Sequence, residues 1–562
     1  HYLIIIIIGI LLSMPLAKIQ IRDTHDGTLH MLRVLGTEDT LKIGQIPPLI
    51  NQNYCNGVGY AMNLFYQPIV TYIPLLIKLF TPSYMTALKI FGGICIVFSG
   101  ITMYKFAYIV TKKRAVALFS AIFYLIAPYK LANVYKRFAI GEFTALAFMP
   151  LVFLGLYNLF NQDGKKHYYI TIGAAGLMLS HTVTTLYTAI FAIIYILFNI
   201  RKIKQREIIK KCIINIIFIL LISMLFWLPL LEATSACDYA IMDDEIMRTN
   251  GDFVAYNTIS FSQFFKDKGE ENGTTFLIGI PTILIFALTI FTYKKVNNSY
   301  KEFYLLSIIL SLISIFMTSR FFPWKIMPGI LCKLQYPWRI ICFFNFFASF
   351  ICGVNTYIIL KNLIKRDSVR IVTIIIFVAL SIISSIKIMS QFYATDTDID
   401  NKYETAILKN KKISHMSINR DYMPVRAISL QNSYVMQRKD TTYILEGSAN
   451  IINENKENLT DNIEIENITK DTTLEFPYYY YVGYKVTIEM SDGSVKDIKT
   501  IESKNGYLSC VIDENIDRAI IKVEYVGTTI TYVSYIISLI SLIGFIIYVR
   551  YEVKKGENNV KN

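Results

Sequence analysis

Long apolar runs, separated by short polar or basic stretches, fill the chain from residue 2 to residue 388 and return at 528–549. A run of about 20 apolar residues crosses a bilayer as a helix. The candidate spans are 2–17, 84–110, 115–132, 139–160, 168–182, 184–200, 211–231, 275–293, 303–319, 339–361, 370–388 and 528–549. The pattern therefore predicts about 12 transmembrane helices. Segment 64–80 is also apolar but contains Pro68 and Pro74. Counting it as a crossing would invert everything after it, so it is read as a re-entrant or interfacial element. Segment 2–17 shows no obvious small-residue cleavage site and is read as a retained anchor. The first residue is His, and the chain is expected to lack a short N-terminal stretch.

Between 389 and 527 the pattern changes to one rich in Asp, Asn, Lys and Thr. Apolar and polar residues alternate at 484–490, 494–501, 507–512 and 519–525, the period of a half-buried strand. Asp492-Gly493 and Asn505-Gly506 sit between these runs at hairpin positions. The expected fold is a mainly α, polytopic membrane protein with a small extracytoplasmic β-rich domain. Its parts are a transmembrane domain at 1–388 with a first outer loop at 18–66, the β-rich domain at 389–527, a last span at 528–549 and a cytoplasmic tail at 550–562.

Composition supports the membrane reading. The chain is 54% hydrophobic and 17% charged, against about 25% charged in soluble domains. A net charge of +14 would suggest nucleic acid in a soluble protein. Here the cations lie mostly in six basic segments: 112–114, 165–166, 201–211, 294–301, 361–370 and the tail from Arg550. With both termini cytoplasmic, all six fall on the cytoplasmic side, as the positive-inside rule requires. Membrane lipids, not nucleic acid, are the expected surroundings. The abundance of Ile, Lys, Asn and Tyr suits a bacterial genome poor in GC, and the location read from the chain is the bacterial cytoplasmic membrane. The 8 cysteines show no CxxC or zinc-ligand spacing.

This topology gathers the unusual polar residues on the outer face. Directly after the first span the chain reads Asp23-Thr24-His25-Asp26-Gly27-Thr28-Leu29-His30-Met31-Leu32-Arg33. On one helix, Asp23, Asp26, His30 and Arg33 would share an arc of roughly 80°. Such a face suits a charged headgroup or a metal; a solvated helix surface is the plainer alternative. The same side holds Lys136, Arg137, His181, Trp338 and Arg339, with Glu142 just inside the membrane from Arg137. Cations outside oppose the positive-inside rule. They either anchor in an aromatic belt or grip phosphate. His181 at a helix end also fits a local hydrogen-bonding role. Glu142 could pair with Arg137, although five residues apart is poor geometry on a straight helix.

The order of motifs resembles the GT-C class of membrane glycosyltransferases. Within it, the chain is most similar to bacterial integral membrane proteins known as 6-pyruvoyl-tetrahydropterin synthase-related, a name that implies no pterin chemistry. The matching pieces are Asp23 to Arg33; Gly44 to Pro47 with Gly57 to Tyr60; Phe65-Tyr66-Gln67-Pro68; Arg137 to Glu142 followed by Pro150; His181; and Leu334 to Arg339. Pro477-Tyr478 and Gly483 to Val486 resemble the tail domains of related proteins. The resemblance implies transfer of a sugar from a polyprenyl-phosphate-linked donor to an extracytoplasmic glycan, lipid or protein. It also implies a general base or metal ligand in the first outer loop, carried to Asp23 and, second, to Asp26.

The residues suit that chemistry. A phosphate leaving group needs positive charge, which Arg339, Arg137 and Lys136 could supply. One carboxylate can activate an acceptor hydroxyl, as in one-step inverting glycosidases. Asp23, Asp26 and His30 could instead hold a divalent cation that bridges the phosphate. His30, Arg33, Lys136, Arg137, Glu142, His181, Trp338 and Arg339 are the substrate-binding candidates. Two other classes compete. A flippase for lipid-linked glycans would need polar residues along a membrane path, and the span centres are nearly charge-free. A non-catalytic envelope-assembly scaffold would leave the Asp23–Arg33 face unexplained.

Overall fold

The computed structural model describes residues 1–363 apart from 163, 204 and 265–277, scattered positions between 366 and 390, and 398–410, 420–429 and 438–561. The expected span at 370–388 lies mostly outside the described residues. Among the described residues, five helices are long and apolar enough to cross a membrane: Tyr84–Thr111, Ile140–Asn161, Lys301–Thr318, Pro337–Asn362 and Thr529–Lys555. Two bent pairs could add one span each. Arg114–Leu125 and Pro128–Arg137 meet at 47°, and Arg206–Ile222 and Met224–Ala236 meet at 66°.

Among the described residues this gives five to seven candidate spans, and the expected count of about 12 also includes 370–388, most of which lies outside them. Three of the runs counted as spans form helices of 10–17 residues, and each bent pair coincides with one expected span. Pro128 lacks an N–H and holds Ala127 extended, which ends the preceding helix. The runs at 2–17, 168–182 and 184–200 form the shorter helices Tyr2–Lys18, Tyr169–Met178 and Thr182–Phe198. Segment 64–80 contains the helix Ile69–Lys78, whose rise of about 15 Å is half a bilayer core of about 30 Å.

Helix 84–111 packs against 2–13, 114–125 and 140–161, and helix 341–363 packs against 114–125 and 301–318. Aromatic rings fill the centre. Phe346 lies 5.1 Å from both Phe106 and Phe153 between ring centroids. The last helix packs on 206–222 and 224–236 while Leu539, Ile540 and Ile547 remain more than 60% exposed. An apolar face of that kind is stable against lipid and unstable against water.

The C-terminal part forms two antiparallel sheets. The strands are β1 (Tyr443–Glu446), β2 (Asn450–Glu457), β3 (Thr460–Ile468), β4 (Thr472–Tyr479), β5 (Tyr484–Met490), β6 (Val495–Ile498), β7 (Thr500–Glu502), β8 (Tyr507–Ile512) and β9 (Ile516–Tyr525). Their orders are β1-β4-β8-β7 and β2-β3-β9-β5-β6. The four alternating runs expected from sequence appear as β5 to β9. Gly493 and Gly506 both take positive φ at the expected turns. The strands β1 to β4 add a half that the alternation had not revealed.

Three contacts fasten this part to the helices. Asp400, on helix Ile399–Lys409, accepts from the N–H groups of Ile21 and Arg22 and pairs with Lys89 at 2.9 Å. Glu404 accepts from the N–H groups of Tyr84 and Met85. It thereby caps a long helix whose positive dipole end favours a carboxylate. Val425 donates its N–H to Asp238 O, and Ala240 donates to Met423 O.

Candidate functional site

The loop that follows the first apolar segment is folded against the chain at 133–137. His25 N–H donates to Lys136 O at 3.3 Å, and Asp26 N–H donates to Arg137 O at 2.9 Å. Asp26 is the N-cap of helix Gly27–Lys42. A Cβ at Gly27 would stand 2.3 Å from Ile21 O, so this tight entrance needs glycine. Asp23 lies ahead of the helix, in the 3₁₀ turn Ile21–Asp23, and is exposed. The expected shared face therefore holds Asp26, His30 and Arg33 but not Asp23. The Thr24 hydroxyl causes the break: it accepts from Gly27 N–H and donates to Ile21 O.

Arg33 is 1% exposed. It donates to His30 Nδ1 at 2.9 Å and to the Tyr422 hydroxyl at 3.5 Å. Its guanidinium carbon lies 3.4 Å from the centre of the Tyr66 ring, within cation–π range. An Arg can only donate, so His30 Nδ1 is the acceptor and a neutral ring carries its proton on Nε2. Burial and then the Arg33 charge push His30 well below its ordinary pKa, which keeps it neutral.

Glu142 and Arg137 pair at 2.7 Å, against the expectation from their spacing. The chain between them is not a straight helix. Residues Asn133–Arg137 form a π-turn, and Phe138 takes φ +50°, so Arg137 folds back onto the start of helix 140–161. Glu142 also accepts from Tyr129 Oη at 2.6 Å and Asn133 Nδ2 at 2.8 Å. Glu142 is thus a filled, buried acceptor that fixes Arg137. Gly141 lets other groups approach it. A Cβ there would meet Tyr66 Oη and Ser180 O at 2.9 Å and His181 Cδ2 at 3.1 Å. His181 caps its own helix, accepting from Thr184 N–H at 3.3 Å through Nδ1. The ring's Nε2 is then the nitrogen left for a proton.

Arg339 sits in the 3₁₀ turn Pro337–Ile340 that leads into helix 341–363. It donates to Leu334 O at 2.8 Å and reaches Gln335 Oε1 at 3.5 Å. Its buried Nε has no hydrogen-bond partner, and it forms no ion pair among the described residues. Trp338 lies under two guanidiniums, with Arg137 at 4.7 Å and Arg339 at 5.8 Å from a ring centroid. The charges of Arg137 and Arg339 are mutually unfavourable, and Asp26 lies within electrostatic reach of both. Among the described residues the Asp26 carboxylate accepts no hydrogen bond.

Asp26, His30, Arg33, Arg137, Glu142, His181, Trp338 and Arg339 are therefore brought to one place from four separate segments. Lys136 contributes its carbonyl to the loop contact, and its side chain is half-buried. Asp23 stands apart. Among the described residues, no three His, Cys, Asp or Glu side chains lie close enough to share a metal ion. With His30 Nδ1 held by Arg33 and a guanidinium beside it, Asp23, Asp26 and His30 do not fit the expected cation.

Sequence reasoning missed Tyr66, Asp421 and Tyr422. Tyr66 was in view only as part of the Phe65 to Pro68 motif. Asp421 and Tyr422 lie in a region whose carboxylates look like a solvated surface. Yet Tyr422 stacks on Phe65 with centroids 5.2 Å apart, and Asp421 lies within electrostatic reach of Arg33 and Asp26.

A sequence model of the 6-pyruvoyl-tetrahydropterin synthase related domain, described as a membrane protein, matches residues 64–393. An uncharacterized protein of Lactococcus lactis subsp. cremoris (strain MG1363) is 29% identical over 335 residues, covering 58% of this chain and 54% of that protein. The chain thus spans about half the length of that curated relative. Two cryo-EM structures of the mycobacterial arabinofuranosyltransferase AftD, one of them a mutant, align over 70% of this chain. Their TM-scores are 0.46 and 0.43 at 12% and 13% identity, and 27% and 28% of the AftD chains are covered.

Proposed function

The chain belongs to the 6-pyruvoyl-tetrahydropterin synthase related family of membrane proteins, and we propose that it is a membrane glycosyltransferase. It transfers a sugar from a polyprenyl-phosphate-linked donor to an extracytoplasmic glycan, lipid or protein. The observation that carries this reading is Arg339, a guanidinium with an orphan buried Nε and no carboxylate partner among the described residues. It stands beside a second guanidinium and near a carboxylate with no hydrogen-bond partner. A dianionic or monoanionic phosphate between Arg339 and Arg137 would satisfy the orphan donor and relieve the repulsion.

The reaction is a one-step displacement. The acceptor hydroxyl oxygen forms a bond to the anomeric carbon as the bond from that carbon to the phosphate oxygen breaks. The bonding electron pair leaves with the phosphate, where Arg339 and Arg137 stabilise it. The hydroxyl proton passes to Asp26. The products are the glycosylated acceptor and polyprenyl phosphate. Asp26 takes the base role in preference to Asp23 because it faces the cations and Asp23 lies ahead of the helix. Glu142 sets the position of Arg137 and touches no substrate. His181 can donate through Nε2 to a sugar or phosphate oxygen.

The test is genetic and chemical. In cells whose own copy is deleted, the wild-type chain should restore the sugar composition of the envelope glycans, read by mass spectrometry. The Asp26→Asn chain, inserted at equal level, should not. Identical composition in deleted, wild-type and Asp26→Asn cells would overturn the transfer reading.

A further inference from the structure

The segment Arg420 to Pro424 enters the site from the C-terminal part, far from the membrane spans in sequence. It is clamped from three directions. Tyr422 N–H donates to the Tyr60 hydroxyl at 3.1 Å. Tyr422 O accepts from the Tyr481 hydroxyl at 3.0 Å. Tyr239 and Pro424 form a β-bridge, flanked by the Asp238–Val425 and Ala240–Met423 hydrogen bonds. The first outer loop, the loop after helix 224–236 and the β-domain all fix this short stretch. A loop without a task at the site has no need of three anchors.

The clamp presents Asp421. Its carboxylate is half-buried and has no hydrogen bond or ion pair among the described residues. Its electrostatic neighbours are Arg33 and Asp26. Arg33, 1% exposed, keeps an unpartnered Nε at the same place. Asp26 is the shared member of two groups: it feels Arg137 and Arg339 on one side and Asp421 on the other. The site thus combines two cations suited to an anion with a second carboxylate beside Arg33.

We propose that Asp421 binds the sugar acceptor, accepting a hydrogen bond from a hydroxyl next to the one that Asp26 deprotonates. This rests on the transferase reading given above. A carboxylate is the wrong group for a phosphate and the right one for a sugar diol, since an ionised carboxyl only accepts. Placing two hydroxyls on two carboxylates fixes which one points at the anomeric carbon. Burial, more than the nearby Asp26 charge, pushes the Asp421 carboxyl above its usual range, and Arg33 opposes this. A hydroxyl donor would stabilise the ionised form in the same way as Arg33.

The experiment uses the full chain in nanodiscs, with undecaprenyl phosphate as donor-side probe and a panel of methyl pyranosides and furanosides as acceptor-side probes. Wild type should bind undecaprenyl phosphate and at least one methyl glycoside. Asp421→Asn and Asp421→Ala should lose about tenfold or more in sugar affinity, with undecaprenyl phosphate affinity within about twofold of wild type. Their melting temperature should be unchanged or higher, because no bond is removed. Arg339→Ala should show the opposite split. Sugar affinity unaltered in both Asp421 variants, or no glycoside bound by wild type, overturns the Asp421 assignment. Undecaprenyl phosphate affinity unaltered in Arg339→Ala overturns the donor reading instead.

Discussion

Glu142 accepts hydrogen bonds from three side chains, Tyr129, Asn133 and Arg137, whereas Asp26 accepts none among the described residues. Two carboxylates at one site are thus engaged differently, and substitution separates them. Glu142→Gln strips Arg137 of its buried counter-charge. Breaking such a pair costs about 3–5 kcal/mol, so thermal unfolding in detergent should show a marked loss of stability. Asp26→Asn removes no hydrogen bond and should unfold like wild type, yet transfer should fall ~10²-fold, the usual cost of losing a general base. Asp23→Asn, at an exposed turn, should transfer within about twofold of wild type, as surface substitutions generally do. The sequence made the residues of this site legible by type, because ionisable groups near a membrane are costly and stand out. It did not show which of them were already paired. The Arg137–Glu142 contact depends on a π-turn and a left-handed Phe138, and neither leaves a trace in helical periodicity. Asp23 fell off the expected face because a Thr24 hydroxyl ended the turn before Gly27.

Element boundaries follow the same logic. Hydropathy located the apolar segments but neither their kinks at Pro128 and between Ile222 and Met224 nor the shortness of the helices Tyr169–Met178 and Thr182–Phe198. The β-domain alternation was readable where one face is buried, as in β5 and β9, and unreadable in β2, whose exposed edge is polar on both sides. Strand β3 carries one break in its own pattern. Asp461 shares the inward face with Ile463 and Ile465 and is fully buried, with no hydrogen-bond partner for either carboxylate oxygen. Burial and the adjacent Glu454 carboxylate push it up to about 8. In the unfolded chain it would titrate near an ordinary Asp, at about 3.9. Between these values the folded state binds the extra proton, so stability is full at low pH and falls as pH rises towards 8. Asp461→Asn should flatten that slope and raise the melting temperature at pH 8. A wild-type β-domain whose stability rises from pH 5 to pH 8, with no change in the Asn variant, would contradict the buried-acid account.

At the level of the complete chain, the site joins the loop after the first apolar segment, the turns before helices 140–161, 182–198 and 341–363, and the clamped Asp421 segment. One consequence is a shared side of the membrane. Single cysteines placed at Asp23, at Lys325 and in the β-domain at Asp492 should be labelled together by an impermeant maleimide in intact cells. A cysteine at Lys165 should be protected until the membrane is opened. Labelling of position 165 with protection of 492 would reverse the topology and with it the extracytoplasmic acceptor. Arg339 is proposed to hold the phosphate of the donor. Arg339→Lys keeps the charge but loses the planar fork, and Arg339→Ala loses both. The direct measurement is the affinity of the purified chain for undecaprenyl phosphate in one detergent. Binding should weaken stepwise from wild type to Arg339→Lys to Arg339→Ala, by about tenfold or more overall. Equal affinity in all three proteins would contradict the claim and leave Arg339 a membrane-belt residue.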